Sequence, residues 1–404
     1  MEQPRLLTER HLENYASVLI WGMQKARTRP FKKNDIVIVR YDFPALRLAE
    51  ILYGKLLALE VHPVVRMVGT SVMERTFFTT ANDAQLVFEV PGERILYKNL
   101  NGSIYLHAPQ SLTHLQDIDP VRIATAARAR KPLRDIMFKR EEKGELGWTL
   151  CSFPTPAMAR HARLSLRTYA AQVIKACYLN AKNPVETWEE IYRNARSLKQ
   201  WLNSLKIKQY HIESKDIDLR IAHGERRRWI GISGHNIPSF ELFISPDWRG
   251  TEGVYVADQP SYRSGNYVAG VRLEFKKGIV VKSDACKGAE FVRKQLAMDT
   301  GASRIGEFSL TDIRFSKIDR FMADTLYDEN YGGRYGNCHI AVGSSYSDTY
   351  DGNPGTLTNR ARQRLGFNDS ALHWDLVNTQ EKTVTATLQT GKKVVIYENG
   401  KFTY

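Results

Sequence analysis

The pattern between residues 35 and 68 limits the possible folds more than any other part of the chain. Residues 35–41 read DIVIVRY, an apolar run rich in β-branched residues that is typical of a buried parallel strand. A helical pattern follows at about residues 45–59, and PVVRMV at 63–68 has the composition of a second strand. Because strand, helix and strand follow one another so closely, they form a βαβ unit. The sequence therefore predicts a parallel sheet in the N-terminal part of the chain.

A change of pattern near residue 205 indicates two domains. Residues 120–140 and 156–205 have helical patterns, whereas short strands separated by Gly, Pro and Asn turns dominate after about residue 208. We expect an α/β domain with a Rossmann-like parallel sheet at 1–205 and a β-rich α+β domain at 206–404. A chain of 404 residues is long enough for both.

The turn after the first predicted strand argues against a bound nucleotide cofactor. It reads Tyr41-Asp42-Phe43-Pro44 and contains no glycine. A dinucleotide site needs glycines at this turn so that backbone amides can approach the pyrophosphate. We therefore expect the N-terminal sheet to lack a phosphate loop.

The basic charge is concentrated in the N-terminal part. The formal net charge is +14, of which residues 231–404 contribute only +1. One helical stretch is markedly basic, through Arg122, Arg128, Arg130, Lys131, Arg134, Lys139 and Arg140. It could bind nucleic-acid phosphates, but Glu141, Glu142 and Glu145 follow at once, and no aromatic residues alternate with the charges to stack on bases. We therefore interpret it as a solvated helix face.

Targeting signals and disulfide patterns are not evident. The four cysteines, at 151, 177, 286 and 338, are too far apart for a CxxC site, which favours a reduced setting. The N-terminus has no signal-peptide pattern, and its longest nearly apolar run, 15–23, is too short to cross a bilayer. We expect a cytoplasmic protein that does not contact a membrane.

Carboxylates and histidines that could bind metal ions are concentrated in the C-terminal part. They lie beside predicted turns: Glu241, Glu307, Asp328, Glu329, His339, Tyr346, His373 and Asp375. In an extended segment residues i and i+2 project to the same side, so His373 and Asp375 could reach one cation. Carboxylates and imidazoles suit divalent cations of the zinc or cobalt type. The alternative is that each is separately a surface carboxylate or a structural histidine, because exposed acidic residues are common.

Four segments resemble the thermophilic-type metallo-aminopeptidases, a family that includes aminopeptidases of the T and S types and leucyl aminopeptidase-like enzymes. They are GERRRWIGISGHNIPSFELFISPD (224–247), GASRIGEFSL (301–310), DTLYDEN with CHIAVGSSY (324–330 and 338–346), and NDSALHWDLV (368–377). The resemblance covers nearly the whole C-terminal half and extends more loosely into the N-terminal half.

The resemblance implies a specific site and activity. The implied metal ligands are Glu241, Glu307, Glu329, His339, His373 and Asp375. Tyr346 would complete a coordination sphere or donate a hydrogen bond to the oxyanion of the transition state. Two divalent metal ions, Zn²⁺ or Co²⁺ with Mg²⁺ or Mn²⁺ as alternatives, would activate a bridging water to remove N-terminal residues from peptides. The implied partners are peptide substrates and a second copy of the chain in a homodimer; nucleic acid is not expected.

The chain departs from the family pattern at residues 331–337. This connection, YGGRYGN, is longer than the family pattern has before the histidine segment, and we expect it to alter the pocket beside Glu329.

Two alternative functions stay open. One is a basic nucleic-acid-binding protein on a degenerate metallopeptidase fold, and the other is a metallohydrolase acting on substrates other than peptides.

Overall fold

The computed structural model describes residues 6–404, which contain twelve α-helices and nineteen strands. The helices are α1 (Glu9–Lys25), α2 (Leu46–Ala58), α3 (Ser71–Thr80), α4 (Asp83–Leu86), α5 (Glu93–Asn99), α6 (Pro120–Glu142), α7 (Pro156–His161), α8 (Leu166–Ala176), α9 (Pro184–Ser204), α10 (Ala289–Leu296), α11 (Thr325–Asp328) and α12 (Asn359–Arg364). The first nine strands are β1 (Ile36–Tyr41), β2 (His62–Met67), β3 (Leu100–His107), β4 (Gly147–Ser152), β5 (Ile207–Ser214), β6 (Asp218–Ala222), β7 (Asn236–Ile237), β8 (Glu241–Ile244) and β9 (Asp247–Val256). The others are β10 (Ser261–Arg263), β11 (Asn266–Val268), β12 (Arg272–Lys276), β13 (Ile279–Asp284), β14 (Ile305–Thr311), β15 (Asn337–Gly343), β16 (His373–Asn378), β17 (Lys382–Leu388), β18 (Lys393–Glu398) and β19 (Lys401–Phe402).

The parallel sheet expected from the βαβ pattern is present. It has five strands in the order β2-β1-β3-β4-β7, and all neighbouring pairs are parallel. Helix α1 packs on this sheet through the buried side chains of Leu12, Tyr15, Leu19 and Met23, which recur at helical spacing. Its first turn is capped by Thr8, whose hydroxyl accepts the backbone N–H of His11. The fifth strand, β7, comes from beyond residue 205.

The rest of the chain forms antiparallel sheets, as the short strands and turns predicted. An eight-stranded sheet has the order β13-β12-β9-β6-β5-β17-β18-β19, and a four-stranded sheet has the order β16-β15-β14-β8. Every residue of β14 and β15 is buried, because other layers cover both faces of the smaller sheet. A fold that combines a parallel α/β sheet with antiparallel β-sheets is thereby confirmed.

The apolar core connects the N-terminal and C-terminal parts. One buried cluster joins Leu202 of α9 to Tyr210, Trp229 and Phe308. A second joins Tyr15 and Trp188 to Phe240 and Tyr327. Both clusters therefore draw side chains from either side of residue 205.

The interpretation of the basic stretch on α6 as a solvated face is wrong for several of its arginines. Arg134 donates through Nη1 and Nη2 to the carbonyls of Ala371 and Ser370, at 3.0 and 2.9 Å. Arg140 donates to the Leu100 carbonyl at 2.8 Å, and Arg128 to the Met298 carbonyl at 2.9 Å. Carbonyls at the ends of neighbouring elements need donors, and a guanidinium with five N–H groups supplies them. These charges hold elements together, and α6 does not present them as an open row to a phosphate backbone.

Within residues 6–404, no helix combines the length and the apolar composition needed to cross a bilayer.

Candidate metal centre

The four-stranded sheet brings five of the candidate residues to one face. In the antiparallel register Glu307 lies opposite Ala341, which in turn lies opposite Asp375. His339 is two residues before Ala341 on β15, and alternate residues of a strand project to the same side. The same alternation places His373 beside Asp375 on β16. Glu241 pairs with Thr311, four residues after Glu307 on β14, so Glu241 shares this face.

Three of these side chains meet closely. His339 Nε2 lies 3.1 Å from Glu307 Oε1 and 3.2 Å from Glu241 Oε2. All three residues are buried, and one nitrogen or oxygen atom of each lies within 4.8 Å of the others. This is the spacing expected of atoms that surround one cation, because metal–ligand distances near 2 Å place ligand atoms a few ångströms apart.

His373 and Asp375 extend the cluster along the next strand. His373 Nε2 lies 3.4 Å from Asp375 Oδ1 and 3.7 Å from Glu307 Oε2. A backbone contact fixes the orientation of the His373 ring, because its Nδ1 atom lies 2.8 Å from the carbonyl oxygen of Ser344. Such a contact leaves Nε2 as the atom directed at the cluster, the usual arrangement of a metal-binding histidine.

Glu329 reaches the same cavity from a different element. It follows the short helix α11 and is buried, and its Oε1 accepts a hydrogen bond from Asn236 Nδ2 at 3.1 Å. None of residues 331–337 lines the cavity, so the longer connection does not alter its wall directly.

Asp328, a further candidate, faces away from the cavity. Its carboxylate accepts hydrogen bonds from the backbone N–H groups of Met322 and Asp324, at 2.7 and 2.9 Å.

The buried carboxylates of the cluster raise one another's pKa and that of the neighbouring histidine. Burial raises the pKa of Glu241 to about 7, and burial together with the nearby carboxylates of Glu241 and Asp375 raises the pKa of Glu329. Burial alone would lower the pKa of His339, but Glu241, Glu307 and Asp375 raise it to about 9. A protonated imidazole therefore compensates the carboxylates, and a divalent cation would do so more completely.

Tyr346 lies at the edge of the cluster. Its ring contacts the His373 ring edge to face, with 4.7 Å between centroids, and it also packs against Phe243 at 5.9 Å. Burial, reinforced by Glu307 and Asp375, raises the pKa of Tyr346 well above its usual value. The phenol therefore keeps its proton at neutral pH and can donate a hydrogen bond.

The cluster lines a cavity of about 340 Å³. A larger cavity of about 1020 Å³ lies next to it on the N-terminal side, and the two share wall residues. The shared residues are Tyr105, His107, Leu112, Trp148, Leu150 and Tyr262. The parallel sheet therefore supplies part of the wall of the candidate metal centre, through the ends of β3 and β4.

Sequence reasoning missed several side chains that position this cluster. Ser309 donates to Glu241 Oε2 at 2.7 Å, and its place two residues after Glu307 predicts that it shares the face. Asn236, which supports Glu329, lies five residues before Glu241 in the same motif. His235 is half-buried beside Glu141, with 2.7 Å between Nε2 and Oε1. No local signal joins that pair, which is 94 residues apart.

The donor set fits a divalent metal. Glutamate, aspartate and histidine side chains on rigid strands are the ligands preferred by catalytic Zn²⁺ and by related cations. The buried Nδ1 atom of His339 has no hydrogen-bond partner within the described part of the chain, and Nε2 is the atom that faces the carboxylates. The residues therefore form a pocket for positive charge.

Comparison with known proteins decides the family. The sequence profile of the thermophilic metalloprotease family M29 matches residues 8–402. The chain belongs to this family. The resemblance and the metallopeptidase class expected from the sequence are thereby confirmed, and membership of the family implies a divalent metal.

Individual relatives agree with this assignment to the M29 family. The chain is 27% identical to aminopeptidase T of Thermus aquaticus over 306 residues, which are 71% of this chain and 73% of the relative. It is 29% identical to aminopeptidase 2 of Geobacillus stearothermophilus over 322 residues, 74% of this chain and 75% of the relative. The solved structure of wild-type AmpT from Thermus thermophilus shares the fold, with a TM-score of 0.80 and 22% identity over 98% of this chain and 100% of that one.

Proposed function

We propose that this M29 metallopeptidase is an aminopeptidase that hydrolyses the first peptide bond of its substrates. The observation that carries the proposal is the convergence of Glu241, Glu307 and His339 on one buried point of the sheet. The names of the relatives, aminopeptidase T and aminopeptidase 2, support the same reaction.

We propose six residues as ligands of two divalent cations. They are Glu241, Glu307, Glu329, His339, His373 and Asp375. With four carboxylates and two imidazoles, the set offers as many negative charges as two divalent cations carry positive ones. Zn²⁺ or Co²⁺ suits these donors, and Mg²⁺ or Mn²⁺ are the alternatives. When bound, such cations polarise the scissile carbonyl and make water a nucleophile at neutral pH.

The protein side chains orient the reaction. Ser309 holds one oxygen of Glu241, and Asn236 holds one oxygen of Glu329, so both carboxylates have fixed directions. Tyr346 retains its proton and lies against His373, where it can donate a hydrogen bond to the oxygen that gains charge in the transition state.

The charge of the cavity explains why cleavage would be confined to the chain end. The carboxylates around the cavity of about 340 Å³ attract a free α-ammonium group. The remainder of the peptide would extend into the adjoining cavity of about 1020 Å³.

Aminoacyl-p-nitroanilides test this function with a matched control. The purified protein should hydrolyse leucine-p-nitroanilide, lose the activity on dialysis against a chelator, and regain it with Zn²⁺ or Co²⁺. The N-acetylated substrate, which lacks the ammonium group, should not be cleaved. Equal hydrolysis of both substrates would exclude an aminopeptidase and favour a broader metallohydrolase.

Other expectations from the sequence stay predictions. They are the division into domains at 1–205 and 206–404, the Rossmann-like character of the parallel sheet, the cytoplasmic location and the homodimer. The arginine contacts of α6 give no support to the nucleic-acid-binding alternative.

A further inference from the structure

The two adjoining cavities differ in charge. Among the described residues, seven carboxylates line the smaller cavity of about 340 Å³, and no Lys or Arg does. The larger cavity of about 1020 Å³ is lined by three arginines, Arg40, Arg130 and Arg134, and by four carboxylates. What the larger cavity attracts depends on which of these charges other protein groups already compensate.

The carboxylates of the larger cavity are all compensated. Asp42, Glu74, Glu89 and Glu93 each have an oxygen within 3.5 Å of a histidine or arginine nitrogen. Arg134 is also engaged, because its Nη1 and Nη2 atoms donate to two backbone carbonyls. The remaining positive charge of this cavity therefore belongs to the other two arginines.

Arg40 and Arg130 have no acceptor within the part of the chain that the structure describes. Each guanidinium instead lies over an aromatic ring, Arg40 at 5.5 Å from the ring centroid of Tyr105 and Arg130 at 5.9 Å from that of Phe77. Nε of Arg40 is enclosed by protein, whereas its two terminal nitrogens are not enclosed. A contact with a ring face positions a guanidinium without using its N–H groups, which match the two oxygens of a carboxylate.

The parallel sheet connects Arg40 to the candidate metal centre. Asn236, which supports Glu329, pairs with Leu150 on β4. Leu150 pairs with Tyr105 on β3, and Tyr105 pairs with Arg40 on β1. Paired residues of neighbouring strands project to the same face, so these side chains form one row across the sheet. Because neighbouring strands lie about 4.8 Å apart, Arg40 is about 14 Å from Asn236 along this row.

Helix α6 places Arg130 at a similar distance. Glu141, near the end of this helix, lines the smaller cavity, and Phe138 contacts Tyr346 with 6.3 Å between the ring centroids. Arg130 precedes Phe138 by just over two helical turns, which is about 12 Å along the axis. An extended peptide of three or four residues spans this length, at roughly 3.3 Å per residue.

We propose that Arg40 and Arg130 bind the C-terminal carboxylate of short peptides, so that the enzyme prefers substrates of three or four residues. The inference rests on the proposed aminopeptidase function and names its substrate class. A peptide of this length places its ammonium group in the acidic cavity and its carboxylate beside the two arginines. Both charged ends then meet groups of opposite charge.

The test compares the tripeptide leucylglycylglycine with its C-terminal amide, which has the same length but no carboxylate. The wild-type kcat/KM for the acid should exceed that for the amide about 10–100-fold, the usual effect of a charged hydrogen bond. Arg40→Gln should lower this ratio about tenfold, and its combination with Arg130→Gln should bring the ratio close to one. Arg40→Lys keeps the charge but not the planar fork of donors, so it should lower the ratio less.

Peptide length separates a specific contact from a general attraction to positive charge. In a hexapeptide of leucine followed by five glycines, the carboxylate extends past both arginines. The acid and the amide of this hexapeptide should therefore have kcat/KM values within about twofold of each other. An equal acid-to-amide ratio at both lengths, or a ratio near one for the tripeptide in the wild type, would overturn the carboxylate site.

Arg272→Gln is the matched control, since Arg272 also lies on a strand but is exposed and outside both cavities. It should leave the acid-to-amide ratio of the tripeptide unchanged. A fall of this ratio in Arg272→Gln as large as that in Arg40→Gln would overturn the site, because the effect would then follow from net charge alone.

Calorimetry separates this inference from the proposed function. If no peptide is hydrolysed, the aminopeptidase function fails, but binding of the same tripeptide and its amide still decides the carboxylate site. The wild-type protein should then bind the acid at least about tenfold more tightly than the amide, and the Arg40→Gln, Arg130→Gln double variant should bind both equally. Equal binding of the acid and the amide to the wild type would overturn the site.

Discussion

His339 Nε2 lies 3.1 Å from Glu307 Oε1, although the two residues are on different strands and 32 positions apart. The antiparallel register places His339 opposite Ser309, so Glu307 is its diagonal neighbour on the same face. Both side chains are buried. The register of two fully buried strands therefore fixes the distance between these two groups. Because neither residue lies on a loop, loop motion does not change this distance.

The hydroxyl of Ser309 should strengthen metal binding through Glu241. Ser309→Ala removes the 2.7 Å hydrogen bond to Glu241 Oε2 and frees that carboxylate to rotate. We expect the dissociation constant for Zn²⁺ to rise about 10–100-fold, the usual effect of losing a partner of a metal ligand. Competition with a fluorescent zinc chelator measures it. Ser283→Ala, on β13 and away from the site, should leave the constant unchanged; an equal change in both variants would contradict this role.

Tyr346 should act on the transition state. Tyr346→Phe keeps the ring against His373 but removes the donor, so kcat should fall about 10²–10³-fold while KM changes little. Steady-state kinetics on leucine-p-nitroanilide, with metal content determined in parallel, measures the effect. Tyr350→Phe, outside both cavities, serves as control. A loss of bound metal in Tyr346→Phe would instead assign Tyr346 to the coordination sphere.

Arg134 should stabilise the segment before β16. Arg134→Met removes two hydrogen bonds to the carbonyls of Ser370 and Ala371, just before the strand that carries His373. The free energy of unfolding should fall by about 1.5–3 kcal/mol. Urea denaturation measures it, with the exposed Arg130→Met on the same helix as control, for which a change within about 0.5 kcal/mol is expected. Equal effects would show that the contacts contribute nothing specific.

His223 should make stability depend on pH. Burial lowers the pKa of His223 to about 4, against about 6.5 in the unfolded chain. The unfolded state therefore binds the proton more readily, so this contribution is complete above pH 6.5 and is lost as the pH falls towards 4. The loss should reach about 3 kcal/mol.

Comparison with His223→Gln isolates this contribution from other titrating groups. Thermal unfolding between pH 4.5 and 7.5 should show a steeper fall of Tm for the wild type than for the variant. Parallel curves would contradict a His223 that stays neutral in the folded protein.

The sequence was informative where the signals are local. The apolar run of β1 and the helical spacing of α2 each depend on residues close in the chain, so the βαβ unit could be predicted. The ligand candidates were found because their motifs resemble those of a family, since dispersed carboxylates alone are common on surfaces. The convergence of these side chains depends on the register of the paired strands, which cannot be predicted from the sequence pattern.

What could not be predicted depends on tertiary packing. Strand β7 has only two residues, too few for a periodic signal, yet it joins the parallel sheet through a partner 86 residues earlier, since Leu150 pairs with Asn236. The arginines of α6 had the pattern of a solvated face because their acceptors, such as the Ala371 carbonyl, lie far along the chain.

The most direct test of the metal centre combines metal analysis with activity in one double variant. The wild-type protein should bind close to two equivalents of Zn²⁺ or Co²⁺ and hydrolyse leucine-p-nitroanilide in a chelator-sensitive way. Glu307→Ala combined with His339→Ala removes two groups that meet at 3.1 Å, so both bound metal and hydrolysis should be lost while the circular dichroism spectrum is kept. Full activity of the folded double variant would contradict a catalytic metal centre at this point of the sheet.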